Sequence, residues 1–446
     1  MKRAALGLLL LGSLIPLCRP AAASPAAQQA TPSAPSPIAA GQAPTASREV
    51  TAYTLPPDLY RKARNLSRLR FIFDMVEPLY GLVILWLVLR SRLAPRFRDW
   101  AESASRKRVV QSFIFVPLFV LTTDALSLPV GVVSNWVERI YGLSVQGWAS
   151  WAWDWTKGEL VSIITSTIFV LVLYAVIRKS PRRWWFYFWL ASIPFVVFLI
   201  FLQPLVIDPL FHKFEPLQQK DPALTLALEK MVQRAGENIP PERMFWMGAA
   251  EKSTTLNAYV TGVGASKRIV VWDTTIAKMT TPQIVMVAGH EMGHYVLYHI
   301  PKELVIAGLG LLVSFYLGYR LIGVLLLRRR TTWGIRGVGD WASLPALMLL
   351  LGIFSFLAGP ISSSVSRYFE HQADQYGLEV THGLTPDSAQ VAAQMFQILG
   401  EVDLSDPAPS RLQVLLTYDH PSIPDRVRFC LAYNPWADGG HGEFVP

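Results

Sequence analysis

The sequence predicts an α-helical polytopic membrane protein that also carries an α+β soluble domain, and three observations support this. Of 446 residues, 52% are hydrophobic and only 16% charged, whereas a soluble chain of this size carries about 25% charge. Six segments, 71–89, 109–127, 160–177, 184–205, 304–327 and 341–358, are apolar over a length that crosses a bilayer. Between the fourth and fifth of them stands His290-Glu291-Met292-Gly293-His294, a pattern with chemistry of its own.

Residues 1–23 read as a signal peptide. Lys2 and Arg3 precede an apolar run over 4–17, and Ala21-Ala22-Ala23 offers a small-residue cleavage site. Pro16 and Leu17 stand before Cys18 where lipoprotein processing needs small residues. Cys430 is then alone in the processed chain, which excludes a disulfide framework. Residues 24–54 form an Ala/Pro-rich segment with too little apolar surface to fold, and they are expected to be disordered.

The membrane region divides into 55–205, with the first four spans, and 304–359, with the last two. Net charge is +9, but the basic residues cluster beside apolar segments, where they meet lipid headgroups; nucleic acid is not an expected partner. Arg90, Arg92, Arg96, Arg98, Arg106, Lys107 and Arg108 follow the first span. Arg178, Lys179, Arg182 and Arg183 follow the third, and Arg328, Arg329, Arg330 and Arg336 the fifth. The loop after the second span has only Arg139 and Lys157 among many Trp. This alternation puts the basic loops in the cytoplasm and the soluble parts, 206–303 and 360–446, on the exported face. The run Arg61, Lys62, Arg64, Arg68 and Arg70 is outweighed. Asp74, Glu77 and Asp124, near span ends, either face a bundle interior or lie at the interface.

Within the first soluble part, 222–235 reads as an amphipathic helix with Gly236 past its end, and 244–249 and 267–272 as strands. A helix is predicted across 281–300, capped by Thr280 or Thr281. It carries the pentapeptide. His290 and His294, at i and i+4, share a helix face and can hold one metal ion, and Glu291 can take a proton from metal-bound water. Among apolar neighbours Glu291 would otherwise be an expensive buried charge.

A catalytic zinc needs a third protein ligand and an open position. The segment Ser366-Arg367-Tyr368-Phe369-Glu370-His371-Gln372-Ala373-Asp374 is its best source. Glu370 can be the ligand, with His371 as its competitor, and Asp374, one turn on, can accept a hydrogen bond from a ligand imidazole. His299 stands at the wrong spacing for a third ligand and reads as structural or interfacial.

These residues closely resemble the Ste24-type, CAAX prenyl protease 1-like membrane zinc metallopeptidases of peptidase family M48. Besides the pentapeptide, the resemblance rests on Leu256-Asn257-Ala258-Tyr259, Lys267-Arg268-Ile269-Val270 with Asp273-Thr274, and Ser366-Arg367 through Glu370 and Asp374. His420-Pro421 with Arg426, the segment 209–217 and Lys62-Ala63-Arg64 add to it, so that it covers about 55–435. It implies a ring of spans around an intramembrane chamber, capped by a zincin-like metallopeptidase domain. It also implies that Glu370 is the third ligand of one catalytic Zn2+, that Asp374 supports the site from behind, and that Asn257 and His420 hydrogen-bond substrate or the developing oxyanion. Relatives in eukaryotes look like seven-span proteins open to the cytosol. Here a signal-like sequence replaces the first span, which weakens any transfer of their prenylated substrates.

The expected function is therefore zinc-dependent endopeptidase activity, by a monomer, on polypeptides admitted to the chamber. The expected location is a bacterial inner membrane, with the catalytic domain periplasmic. Substrate would lie as an extended strand near 257–259, and Arg367 and Arg426 would pair with carboxylates to hold helices together. Processing of a prenylated CAAX-type tail is one alternative, and an inactive zinc-containing scaffold is another.

Overall fold

The structure, a computed structural model, describes residues 49–262 and 264–445. The signal peptide expected at 1–23, most of the segment expected to be disordered at 24–54, and Cys18 lie outside the described residues.

The first half is helical: α1 (Pro57–Arg90), α2 (Leu93–Ala104), α3 (Arg108–Ile140), α4 (Trp148–Lys179) and α5 (Trp184–Leu202), the last running on through a π-turn and a short helix to Phe211. Among the described residues six helices are long and apolar enough to cross a membrane, each over one of the expected apolar segments. All six run beyond their segments, α1, α3 and α4 chiefly at one end. At about 1.5 Å per residue, α1, α3 and α4 each reach roughly 50 Å, against a hydrocarbon core of about 30 Å.

The overruns of α1, α3 and α4 stand at the end that meets the soluble part and carry polar residues there. Asn135, Arg139, Asp154 and Glu159 are buried, and Asp154 accepts from Lys157, Lys252 and Gln146, which joins α4 to the loop before the third strand. Asp124 is also buried, beside Glu159, whereas Asp74 and Glu77 are half-buried. At the other end the three basic loops meet. Arg98 pairs with Asp340 at 2.7 Å, Arg336 with Glu102 at 2.6 Å, and the Arg178 guanidinium lies 4.3 Å over the Trp341 ring.

A four-stranded sheet follows: β1 (Phe214–Pro216), β2 (Met244–Met247), β3 (Ala258–Thr261) and β4 (Arg268–Trp272), in the order β1-β2-β4-β3. β2 and β4 are parallel, and both outer pairs are antiparallel. Only glycine can make the β3–β4 turn at Gly262 (φ +94°), since an added Cβ would meet the Ser266 carbonyl oxygen at 2.2 Å. Helix α6 (Pro222–Arg234) lies between the first two strands. The Asp221 carboxylate accepts from the Leu224 N–H, and Gly236 follows the helix at φ +69°.

After β4 come α7 (Asp273–Lys278) and α8 (Thr281–Val296), the latter opened by a capping box between Thr280 and Gln283. The single helix predicted across 281–300 is broken. α8 ends at Val296, Tyr298 takes φ +56°, and α9 (His299–Trp333) runs on into the fifth span. By contrast α10 (Leu344–Thr381) is unbroken from the sixth span through Glu370 and Asp374. Helices α11 (Ser388–Val402), α12 (Arg411–Thr417) and α13 (Ile423–Ala432) complete the domain, and Cys430 is a free, buried thiol in its core.

Residues 50–54 are docked rather than disordered. Val50 and Tyr53 are buried against the soluble domain, and the Gln390 and Gln397 amides exchange hydrogen bonds with the backbones of Val50 and Thr54. The polar composition hid this, because two apolar residues and borrowed amide partners suffice to pin so short a strap. Gly400 leaves room for the Tyr53 ring, since an added Cβ would lie 2.4 Å from Cε2. Gly400→Ala should therefore destabilise the domain by about 1–3 kcal/mol. A lowered melting point in detergent and faster proteolysis near residue 50 would register it.

Candidate metal centre

The centre is built where α8 crosses α10 on small residues. A Cβ on Gly293 would lie 3.0 Å from the Tyr376 Cβ and 3.2 Å from the Ala373 Cα, and one on Gly377 would lie 3.0 Å from the His290 backbone nitrogen. The two backbones thus approach closely enough for Glu370 to face both histidines. In Gly377→Ala the methyl would press on the His290 backbone at 3.0–3.2 Å, whereas the Met286 Cε at 2.8 Å can swing aside, so the strain falls on the α8–α10 crossing. We expect metal affinity to fall about tenfold or more, with a stability loss of about 1–3 kcal/mol, read by chelator competition and thermal unfolding.

His290 Nε2 lies 3.2 Å from His294 Nε2 and 3.2 Å from Glu370 Oε2, and His294 Nε2 lies 3.4 Å from Glu370 Oε1. All three residues are buried, and among the described residues they form the one group of three or more His, Cys, Asp or Glu able to hold a metal ion. A tetrahedral ion with bonds of about 2.0–2.1 Å needs ligand atoms about 3.3–3.4 Å apart. Two imidazole nitrogens and a carboxylate at these spacings fit such an ion. His371, the competitor for the third position, turns instead to the Phe429 ring, 4.3 Å between centroids.

The groups behind this set orient it. His290 Nδ1–H donates to Asp374 Oδ1 at 2.8 Å, which leaves Nε2 free to bind a metal. Arg426 engages both Asp374 oxygens, with Nε to Oδ2 at 2.8 Å, and its guanidinium lies 4.1 Å over the Phe396 ring. Burial alone would lower the His290 imidazole, but Asp374 and Glu370 outweigh it and hold the group above its ordinary value. Arg426 behaves alike: burial opposes its charge, and Asp374 more than restores it.

Glu291 reaches to 3.9 Å of His290 Nε2 and keeps some exposure. His420 is about one-third exposed, with Nε2 3.3 Å from Glu370 Oε2 and Nδ1 donating to Asp419 at 2.8 Å. Asn257 immediately precedes β3, the sheet edge packed along α8, and exchanges backbone hydrogen bonds with the Thr275 hydroxyl. Arg367 differs from expectation. It donates to the carbonyls of Val414 and Tyr418, in and just after the last turn of α12, rather than to a carboxylate. His299, read as structural or interfacial, is fully buried against His294, Nδ1 to Nδ1 3.1 Å. The continuous helical pattern concealed this contact.

Residues 42–213 match the family described as "CAAX prenyl protease N-terminal, five membrane helices", and residues 218–433 match "Peptidase family M48". The chain is 38% identical over 360 residues to an uncharacterized metalloprotease of Bacillus subtilis, covering 80% of this chain and 82% of that protein. It is 24% identical over 398 residues to CAAX prenyl protease 1 of Saccharomyces cerevisiae, covering 83% and 85%. Its fold resembles the crystal structure of Ste24p from S. mikatae, with a TM-score of 0.71 and 23% identity over 84% of this chain and 89% of that one.

Proposed function

The chain belongs to peptidase family M48 as a multi-pass membrane metallopeptidase, and from that premise we propose that it is a zinc-dependent endopeptidase acting on extended polypeptides. The convergence of His290, His294 and Glu370, with Glu291 beside them on α8, carries the proposal. Zinc held by these three residues would supply a Lewis acid that acidifies a bound water and polarises the scissile carbonyl.

The chain's own residues do the rest. Glu291 takes the proton from the attacking water and returns it to the leaving amine. Asn257 and His420 donate towards the oxyanion that develops as the carbonyl is attacked. Asp374, neutralised by Arg426, keeps His290 in the tautomer that leaves Nε2 for the metal. The β3 edge beside α8 would pair with an extended substrate backbone. The buried polar residues of the helix overruns, Asn135, Arg139 and Glu159, would line the chamber through which it arrives.

A second reading, removal of a prenylated C-terminal peptide, is favoured by the relatives named CAAX prenyl protease 1. A library of unfolded peptides with and without a prenyl group, presented to the detergent-purified protein, separates the two. We expect cuts in peptides that carry no prenyl group; cleavage of prenylated peptides alone would establish the second reading instead. The basic loops further support a periplasmic catalytic domain. Reporter fusions at residue 240 should be exported, and a cytoplasmic signal would reverse the orientation.

A further inference from the structure

Both proposed histidine ligands need a partner on Nδ1, and they have different ones. His290 has the Asp374 carboxylate. His294 has His299, which is fully buried, stacks on Phe369 at 4.6 Å between centroids, and places Nδ1 3.1 Å from His294 Nδ1.

The chain of partners supplies one consistent direction for this bond. Gln372 Nε2 donates to the Tyr368 hydroxyl at 3.3 Å, which turns its Oε1 towards His299 Nε2 at 3.2 Å. His299 Nε2–H therefore donates to Gln372, and in the neutral ring Nδ1 is then an acceptor. His294 Nδ1–H donates to it, leaving His294 Nε2 as the lone pair facing Glu370. The opposite direction would put a proton on His294 Nε2, where the metal would bind.

The backbone break between α8 and α9 makes this contact. In an unbroken helix, five residues at about 100° each would turn His299 roughly 140° away from His294. Tyr298, a non-glycine residue at φ +56°, redirects the chain so that the first residue of α9 returns to the ligand.

We propose that His299, oriented by Gln372, is a positioning residue that fixes the tautomer and ring orientation of His294 for zinc binding. This rests on the zinc reading above. His290 is thus supported by a carboxylate and His294 by an imidazole.

The test measures zinc affinity by chelator competition in detergent-purified full-length protein, independently of peptide hydrolysis. His299→Phe keeps an aromatic ring beside Phe369 but removes the acceptor, and should weaken zinc by about 10–100-fold. His299→Asn restores an acceptor oxygen near the Nδ1 position and should recover most of that loss. Gln372→Met, half-buried and less disruptive to folding, releases the His299 ring and should weaken zinc in the same direction. Wild-type affinity in both His299→Phe and Gln372→Met would overturn the proposal, as would His299→Asn binding no better than His299→Phe. A wild-type protein that takes up no zinc would overturn the zinc reading and this role with it.

Discussion

Glu291→Gln should leave zinc bound at wild-type stoichiometry while peptide hydrolysis falls by about 10²–10⁴-fold, the range a positioned general base supplies. The substitution preserves the shape of the side chain and removes only its basicity. Glu291 is not one of the three clustered ligand residues, and its carboxylate stands 3.9 Å from His290 Nε2 with access to the open side of the centre. The metal and the fold should therefore survive. Zinc content by atomic absorption and turnover of an unfolded peptide are the two measurements. Retained hydrolysis would remove Glu291 from the mechanism, and loss of zinc would make it a structural residue.

Glu370→Gln should have the larger effect on the metal. An amide keeps the volume but supplies no anionic oxygen, and Glu370 lies within 3.4 Å of both histidines and of His420. Loss of an outer hydrogen-bond partner already costs about 10–100-fold in metal affinity. Loss of a direct ligand should exceed that, with hydrolysis falling in step. His371→Ala should change zinc affinity little, because that ring packs on Phe429 away from the cluster. The reverse pattern would make His371 the ligand and would require α10 to turn about its axis.

Much of this was legible from local pattern. The six apolar segments mark the spans, the basic loops that follow them gather at one end, and Asp221 and Gly236 bracket α6 as capping chemistry predicts. Glu370 and Asp374 stand on the segment the sequence singles out for the third ligand. Three features were not legible. Periodicity over 281–300 runs through the break at Tyr298, because left-handed backbone at a non-glycine residue leaves no mark in composition. Arg367 was expected to meet a carboxylate, but the nearest acceptors are carbonyls that every sequence carries. Residues 50–54 read as part of a disordered tail, although two buried side chains and two glutamine amides hold them.

The sequence by itself determined that the chain spans a membrane and carries two histidines at metal-binding spacing with a glutamate beside the first, because hydropathy and helical period depend on neighbours along the chain. Only the tertiary structure decided which side chains complete the centre. Glu370 reaches the histidines because Gly293 and Gly377 let two helices touch, and His299 reaches His294 because the chain turns at Tyr298. Such contacts depend on side-chain volume and backbone direction at a crossing, and these exist only once the helices have packed.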